Sequence, residues 1–132
     1  MHENEIARQV VDVAFHVHTR LGPGLLESVY QKVMVHELRK RGLFVGAEVP
    51  IPIRWEDVLL DEGFRADLRV DHKLIVELKS VENTHPVHKK ILLTYLRLSD
   101  CRLGLLINFG EEKIKDGISR VVNGLSDDNS PE

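Results

Sequence analysis

Residues 102–109, RLGLLINF, are apolar almost without a break. A strand of that kind is buried on both faces, so the chain must lay other elements against each side of it. The remaining sequence supplies them. Ile6, Val10, Val13, Val17 and Leu21 fall on one helical stripe, predicting a helix over residues 4–20 that LGPG then breaks. A second helix is expected from about Leu25 to Lys40, ending before Gly42 after a basic last turn.

In LFVGAEVPIPIRW, positions Val45, Ala47, Val49, Ile51, Ile53 and Trp55 alternate, as in a half-buried strand. Pro50 and Pro52 fall on its other side, and each removes a ladder donor, which points to a sheet edge. EDVLLDEG reads as a turn-containing connection. FRADLRV alternates again, with Phe64, Ala66, Leu68 and Val70 on one side and Arg65, Asp67 and Arg69 on the other. DHK is a tight turn and LIVELKS the next strand, so the two form an antiparallel hairpin. A third helix is expected over residues 86–98, with Pro86 in its first turn and Val87, Ile91, Leu92, Tyr95 and Leu98 on its apolar face. KDGISRVVN reads as a return strand after Asp116–Gly117, with a short helix as the alternative.

The expected architecture is α/β: a mixed central sheet flanked by helices. Residues 4–124 form one domain in this reading, and 125–132 a disordered tail. With 42% hydrophobic and 30% charged residues, the chain has enough apolar mass for one core. The sole cysteine, Cys101, excludes an intrachain disulfide and reads as a small buried hydrophobe in a reducing interior. No apolar run approaches the roughly 20 residues of a membrane span and the start is not signal-like. A cytoplasmic location without a membrane partner is the expectation. The net charge of −3 gives no whole-molecule attraction to nucleic acid, so any phosphate binding must be local. None of the seven histidines shows zinc spacing.

The chemistry concentrates in the hairpin. Glu77 and Lys79 share a face of one strand, and Asp67 can face them from the other. Two close carboxylates repel, raising one pKa unless a cation neutralises them. A hard divalent ion such as Mg²⁺ prefers such oxygen ligands, with the Leu78 carbonyl as a further donor. Lys79 would then assist an attacking water or stabilise developing phosphate charge. The plainer reading is a solvated face with a Glu–Lys pair.

This D…E-x-K arrangement, in an αβββαβ order, resembles the PD-(D/E)xK nuclease superfamily and its restriction-endonuclease-like core. GPGLLESVY, ELRKRGL, FRADLRVDHKLIVELKS, HPVHKKILLTYLRLS, GLLINFG and KDGISRVVNGL together resemble the GxxExxY protein family within that group, over residues 5–125. The resemblance implies an Mg²⁺- or Mn²⁺-dependent nuclease with Glu27, Asp67 and Glu77 as metal ligands and Lys79 as the catalytic lysine. It also implies that Tyr95 orients Lys79 or a phosphate. Arg65 and Arg69, on the Asp67 face, are candidate phosphate binders, with sheet salt bridges as the alternative. DNA is expected ahead of RNA as substrate, and a homodimer is the assembly that small nucleases of this fold often form. Two positions depart from the pattern. Ala66 replaces the proline of the superfamily's name. Ile91 stands where similar proteins usually carry a glutamine, four residues before Tyr95.

Glu27 has two readings. With Gly24 as N-cap it is the acid of a capping box at N3. Alternatively, since it lines up with Tyr30, Met34 and Leu38 along one helix edge, it points to the sheet and joins the site. Tyr30 is expected to pack. His85 and His88 are expected mainly at the surface. Ile91, the acidic net charge and the small size favour a second hypothesis: a non-cutting nucleic-acid or protein-binding module of the same fold.

Overall fold

The computed structural model describes residues 1–126. The tail expected to be disordered lies outside them from residue 127 onward, while Leu125, assigned to that tail, packs against the core.

Helix α1 spans Glu3–Leu21, its His2 Nδ1 accepting from the Asn4 amide at 3.0 Å. Helix α2 spans Glu27–Lys40 and buries Tyr30, Met34 and Leu38, the row expected from the sequence. Strands β1 (Val45–Trp55), β2 (Val58–Val70) and β3 (Leu74–Lys79) follow. Helix α3 (Pro86–Ser99), strand β4 (Leu103–Asn108), the single turn α4 (Ile114–Gly117) and strand β5 (Ile118–Val122) complete the described chain. KDGISRVVN therefore contains both a helical turn and a strand.

The sheet runs in chain order from β1 to β5. β3 pairs with β4 in parallel, and the other neighbours are antiparallel. Every residue of β4 is buried, as its apolar run requires, because α1 and α2 cover one face and α3 the other. β1, with its two prolines, is an edge strand. Connection EDVLLDEG is mostly strand: Glu56 and Asp57 form the turn and β2 starts at Val58.

The expected faces of β1 and β2 are corrected at one point. Val45, Leu68 and Val70 pack with α1 and α2, whereas Ile51, Phe64 and Ala66 pack with α3. Both strands switch faces at Glu48 and Asp67, and Glu48 has the left-handed φ of 51°. Arg65 and Arg69 consequently lie on opposite faces, not on one. Strict alternation cannot register a face switch within a strand. The apolar face of α3 is also narrower than expected. Leu92 and Leu96 are buried, while Val87, Ile91 and Leu98 are exposed.

Candidate active site

The β2–β3 ladder ends at the pair Leu68–Val76, although β3 continues alongside β4 as far as Lys79. Beyond that pair β2 leaves β3 and runs out with β1 as a two-stranded ribbon. Asp67 stands at the divergence. Its Oδ2 accepts from the Leu78 amide at 2.8 Å, and its own amide donates to Glu77 Oε1 at 3.3 Å. Side-chain bonds thus replace backbone ladder bonds, which keeps the interior amides paired while the strands part.

The Asp67 and Glu77 carboxyl groups are neighbours, and each bears on the ionisation of the other. Burial first, and then the Asp67 charge, push the Glu77 pKa up to about 8. Asp67 is shifted upward too, mainly by burial, against the lowering effect of the Leu78 amide. A proton retained by Glu77 relieves the repulsion within this half-buried pair. Glu27 approaches from α2: partial burial raises its pKa, the Asp67 charge adds to this, and Lys79 opposes it.

The capping-box reading of Glu27 is corrected. Leu26 is the N-cap, without a side-chain cap bond, so Glu27 is the first helical residue, not the third after a Gly24 cap. The turn before it explains the shift. Gly22 and Gly24 have φ of 73° and 103°. The buried Tyr30 hydroxyl donates to the Gly22 carbonyl at 2.5 Å and accepts from the Leu25 amide at 3.2 Å. Its ring stacks on Phe109 with centroids 4.4 Å apart. In G-x-x-E-x-x-Y, then, the glycine permits the turn, the tyrosine locks it, and the glutamate is delivered at the helix start.

Lys79 reaches the same place from the end of β3. With Glu77, His88, Ile91 and Tyr95 it lines a cavity of about 90 Å³ under α3, floored by Leu92 and Leu106. Burial, followed by the charges of Glu77 and Asp67, holds the Tyr95 hydroxyl above its usual range, so it stays a hydrogen-bond donor. Its ring stacks on Phe64 at 3.9 Å. The loop after Lys79 is fixed by the buried Asn108. Its Oδ1 accepts from the Val81 and Gly110 amides at 3.1 and 3.0 Å, and its Nδ2 donates to Val81 O and Thr84 Oγ1, both at 3.0 Å.

Two site residues were missed in the sequence. Gln31, one turn after Glu27, donates through Nε2 to the Asp67 carbonyl at 2.9 Å and to Glu48 Oε1 at 3.2 Å. Glu48 bears electrostatically on both Asp67 and Glu27, making a fourth acid at the site. The i, i+4 spacing from Glu27 was the signal available for Gln31. The arginines are not drawn into the acid cluster. Arg65 is exposed and pairs with Glu62. Arg69 Nη2 faces the His72 carbonyl at 3.5 Å and the Cys101 sulfur at 3.9 Å.

Among the described residues, no three His, Cys, Asp or Glu side chains are gathered as a ready metal cage. The donor chemistry nonetheless fits a hard divalent ion. Asp67 and Glu77 are neighbouring carboxyls whose burial and mutual repulsion raise the Glu77 pKa, and a cation in that position would relieve both.

A five-stranded mixed sheet between helices, with an acid–acid–lysine set where two strands part, defines the restriction-endonuclease-like α/β class of fold. The family model of the PD-(D/E)XK nuclease superfamily matches residues 4–121, and the chain belongs to that superfamily. No curated protein and no solved structure matches the chain.

Proposed function

We propose that this protein is a divalent-metal-dependent nuclease that hydrolyses phosphodiester bonds, with DNA as the preferred substrate. The observation that carries the reading is the Asp67–Glu77 pair, tied across the strands by the Asp67 and Leu78 amides and set beside Lys79, at the point where β2 leaves β3. Asp67, Glu77 and Glu27 would hold Mg²⁺ or Mn²⁺. When bound, such an ion supplies charge neutralisation at the phosphate and a more acidic water.

The chain's own groups do the rest. Lys79 brings its ammonium to the phosphate side of the acids, where it offsets charge developing on the equatorial oxygens. The Tyr95 hydroxyl, kept protonated, donates toward Lys79's ligand or the phosphate. The Gln31 contact fixes the Asp67 backbone, so the acid keeps its bearing when its proton is exchanged for a cation. Arg65, at the rim beside Glu48, would take a flanking phosphate on leaving Glu62. Arg69 would have to turn from Cys101 to do the same.

Cleavage of labelled single- and double-stranded DNA and RNA, with Mg²⁺, with Mn²⁺ and with chelator, tests the proposal. Metal-dependent cutting that Lys79→Ala and Glu77→Ala abolish is the expected result. Undiminished cutting by Lys79→Ala removes this mechanism.

One observation favours a non-cutting module: Ile91 lines the cavity and offers it no hydrogen bond. Calorimetry separates the two readings. Mn²⁺ binding that Glu77→Ala abolishes counts against the module.

A further inference from the structure

A second, larger hollow shares Glu27 with the acid cluster. A cleft of about 470 Å³ opens between the turn that starts α2 and the loop that follows β3. Glu27 and Ser80, the residue after Lys79, stand in its wall, so it adjoins the place where the acids and the lysine meet. Leu25, Leu26 and Val81 also line it, and they are 39%, 73% and 40% exposed. Beside a polar site, these side chains leave apolar surface for a ligand to cover.

Both walls are held in place. On the α2 side the Tyr30 hydroxyl accepts from the Leu25 amide, and Ser80 Oγ donates to the Leu25 carbonyl at 2.6 Å. On the other side Asn108 bonds both the amide and the carbonyl of Val81. A Cβ at Gly110 would lie 2.1 Å from the Val81 carbonyl oxygen, so the loop closes there only with glycine. Polar side chains thus fix the two segments that present Leu25, Leu26 and Val81 to water. A cleft ordered in this way by folding takes a ligand without a further ordering cost.

The lining decides what fits. Among the described residues, the charged side chains lining the cleft are Glu27 and Glu82, both carboxylates. They disfavour a phosphate there. A nucleobase is complementary instead: its faces lie well against aliphatic side chains, and its N–H groups donate to a carboxylate.

We infer that this cleft receives the nucleobase beside the scissile phosphate, in an unpaired state, with Leu26 and Val81 against the ring and Glu82 accepting from its edge. A base within a duplex is stacked and paired, and enters a walled cleft only by leaving its partner. The substrate class is then a single strand, or a site where a base is already unpaired. The inference rests on the phosphodiester reading of the site.

The test observes the leucine and valine methyl groups of the full chain by ¹H–¹³C NMR, in chelator and again with Ca²⁺. Three probes are titrated in: a short single-stranded DNA, its duplex with the complementary strand, and a strand of the same length with abasic sites throughout. Saturable shifts at Leu25, Leu26 and Val81 are expected with the single strand, and not with the duplex or the abasic strand. Leu26→Ser supplies a favoured N-cap residue and so keeps α2. It should weaken single-strand affinity about 5- to 10-fold and leave affinity for the abasic strand as it was. Binding that moves other methyl groups but not these, or moves these equally with the abasic strand, overturns the inference and leaves the nuclease reading standing. Equal shifts with the duplex overturn the requirement for an unpaired base. No binding of any probe removes the phosphodiester reading, and the inference with it.

Discussion

The carboxyl pair makes the first prediction at the residue scale. Glu77 has its pKa raised on folding to about 8 from 4.5, and Asp67 moves the same way. A carboxyl with a raised folded pKa binds its proton more tightly when folded. Its support for folding is complete below the unfolded value and is lost as pH climbs through the folded one. Thermal melts in chelator should therefore show Tm declining between pH 4.5 and 8 relative to Glu77→Gln, which keeps the hydrogen bond and does not ionise. Mg²⁺ added at the upper end should restore wild-type Tm and leave Glu77→Gln less affected. A wild-type Tm that tracks the variant across the range would refute the raised Glu77 pKa. Lys79 gives a second prediction. Lys79→Ala should reduce kcat by about 10²-fold or more with the fold intact by circular dichroism. Much of this site was legible residue by residue, since Asp67, Glu77 and Lys79 need only a hairpin and a period of two to meet. Glu48 was not legible. Nothing local marks a non-glycine residue in the left-handed region, and its acid reaches the site only because the strand turns there.

Elements position these residues, and two ties can be cut separately. Gln31→Leu removes the bond from α2 to the Asp67 carbonyl. It should cost about 1 kcal/mol, a Tm decrease of roughly 4 °C, while cutting activity more than that loss explains. An unchanged rate per folded molecule would show that the α2–β2 tie does not orient the acid. Asn108→Ala strands the Val81 amide and carbonyl and the Gly110 amide, and should cost roughly 3 kcal/mol or more in denaturant melts. The start of α2 shows where local pattern stops being informative. Its buried row was visible at helical spacing. Its first residue was set by the Tyr30 hydroxyl reaching back to Gly22, a contact outside any capping rule. The face of α3 was misjudged for a related reason: its apolar residues Val87 and Ile91 do not pack against the sheet, and Ile91 borders a cavity.

At the scale of the whole molecule, charge and shape decide how a long substrate is met. The chain carries −3 overall; Lys79 acts on Glu27, Asp67 and Glu77, and Arg65 stands outside them, paired with Glu62 and near Glu48. With about three phosphates contacted, log K against log salt should have a slope of roughly −2 to −3. A slope several times steeper would point to a basic surface elsewhere. The architecture was legible as a whole because β4 is apolar throughout and two prolines mark β1 as an edge. The ribbon's departure from β3 was not, since the pairing partner of a strand is a long-range property. The sheet also divides the interior unequally. Among the described residues, twenty-one buried side chains gather on the α1–α2 side and eight on the α3 side. Helix α3 is thus held mainly by Leu92, Leu96 and the stack of Tyr95 on Phe64, yet it roofs the cavity that contains Lys79. Local opening draws on the weakest contacts, so amide hydrogens of α3 should exchange well before those of α1, α2 and β4. That wall of the site is therefore the element expected to open first, while the strands that carry Asp67, Glu77 and Lys79 stay closed.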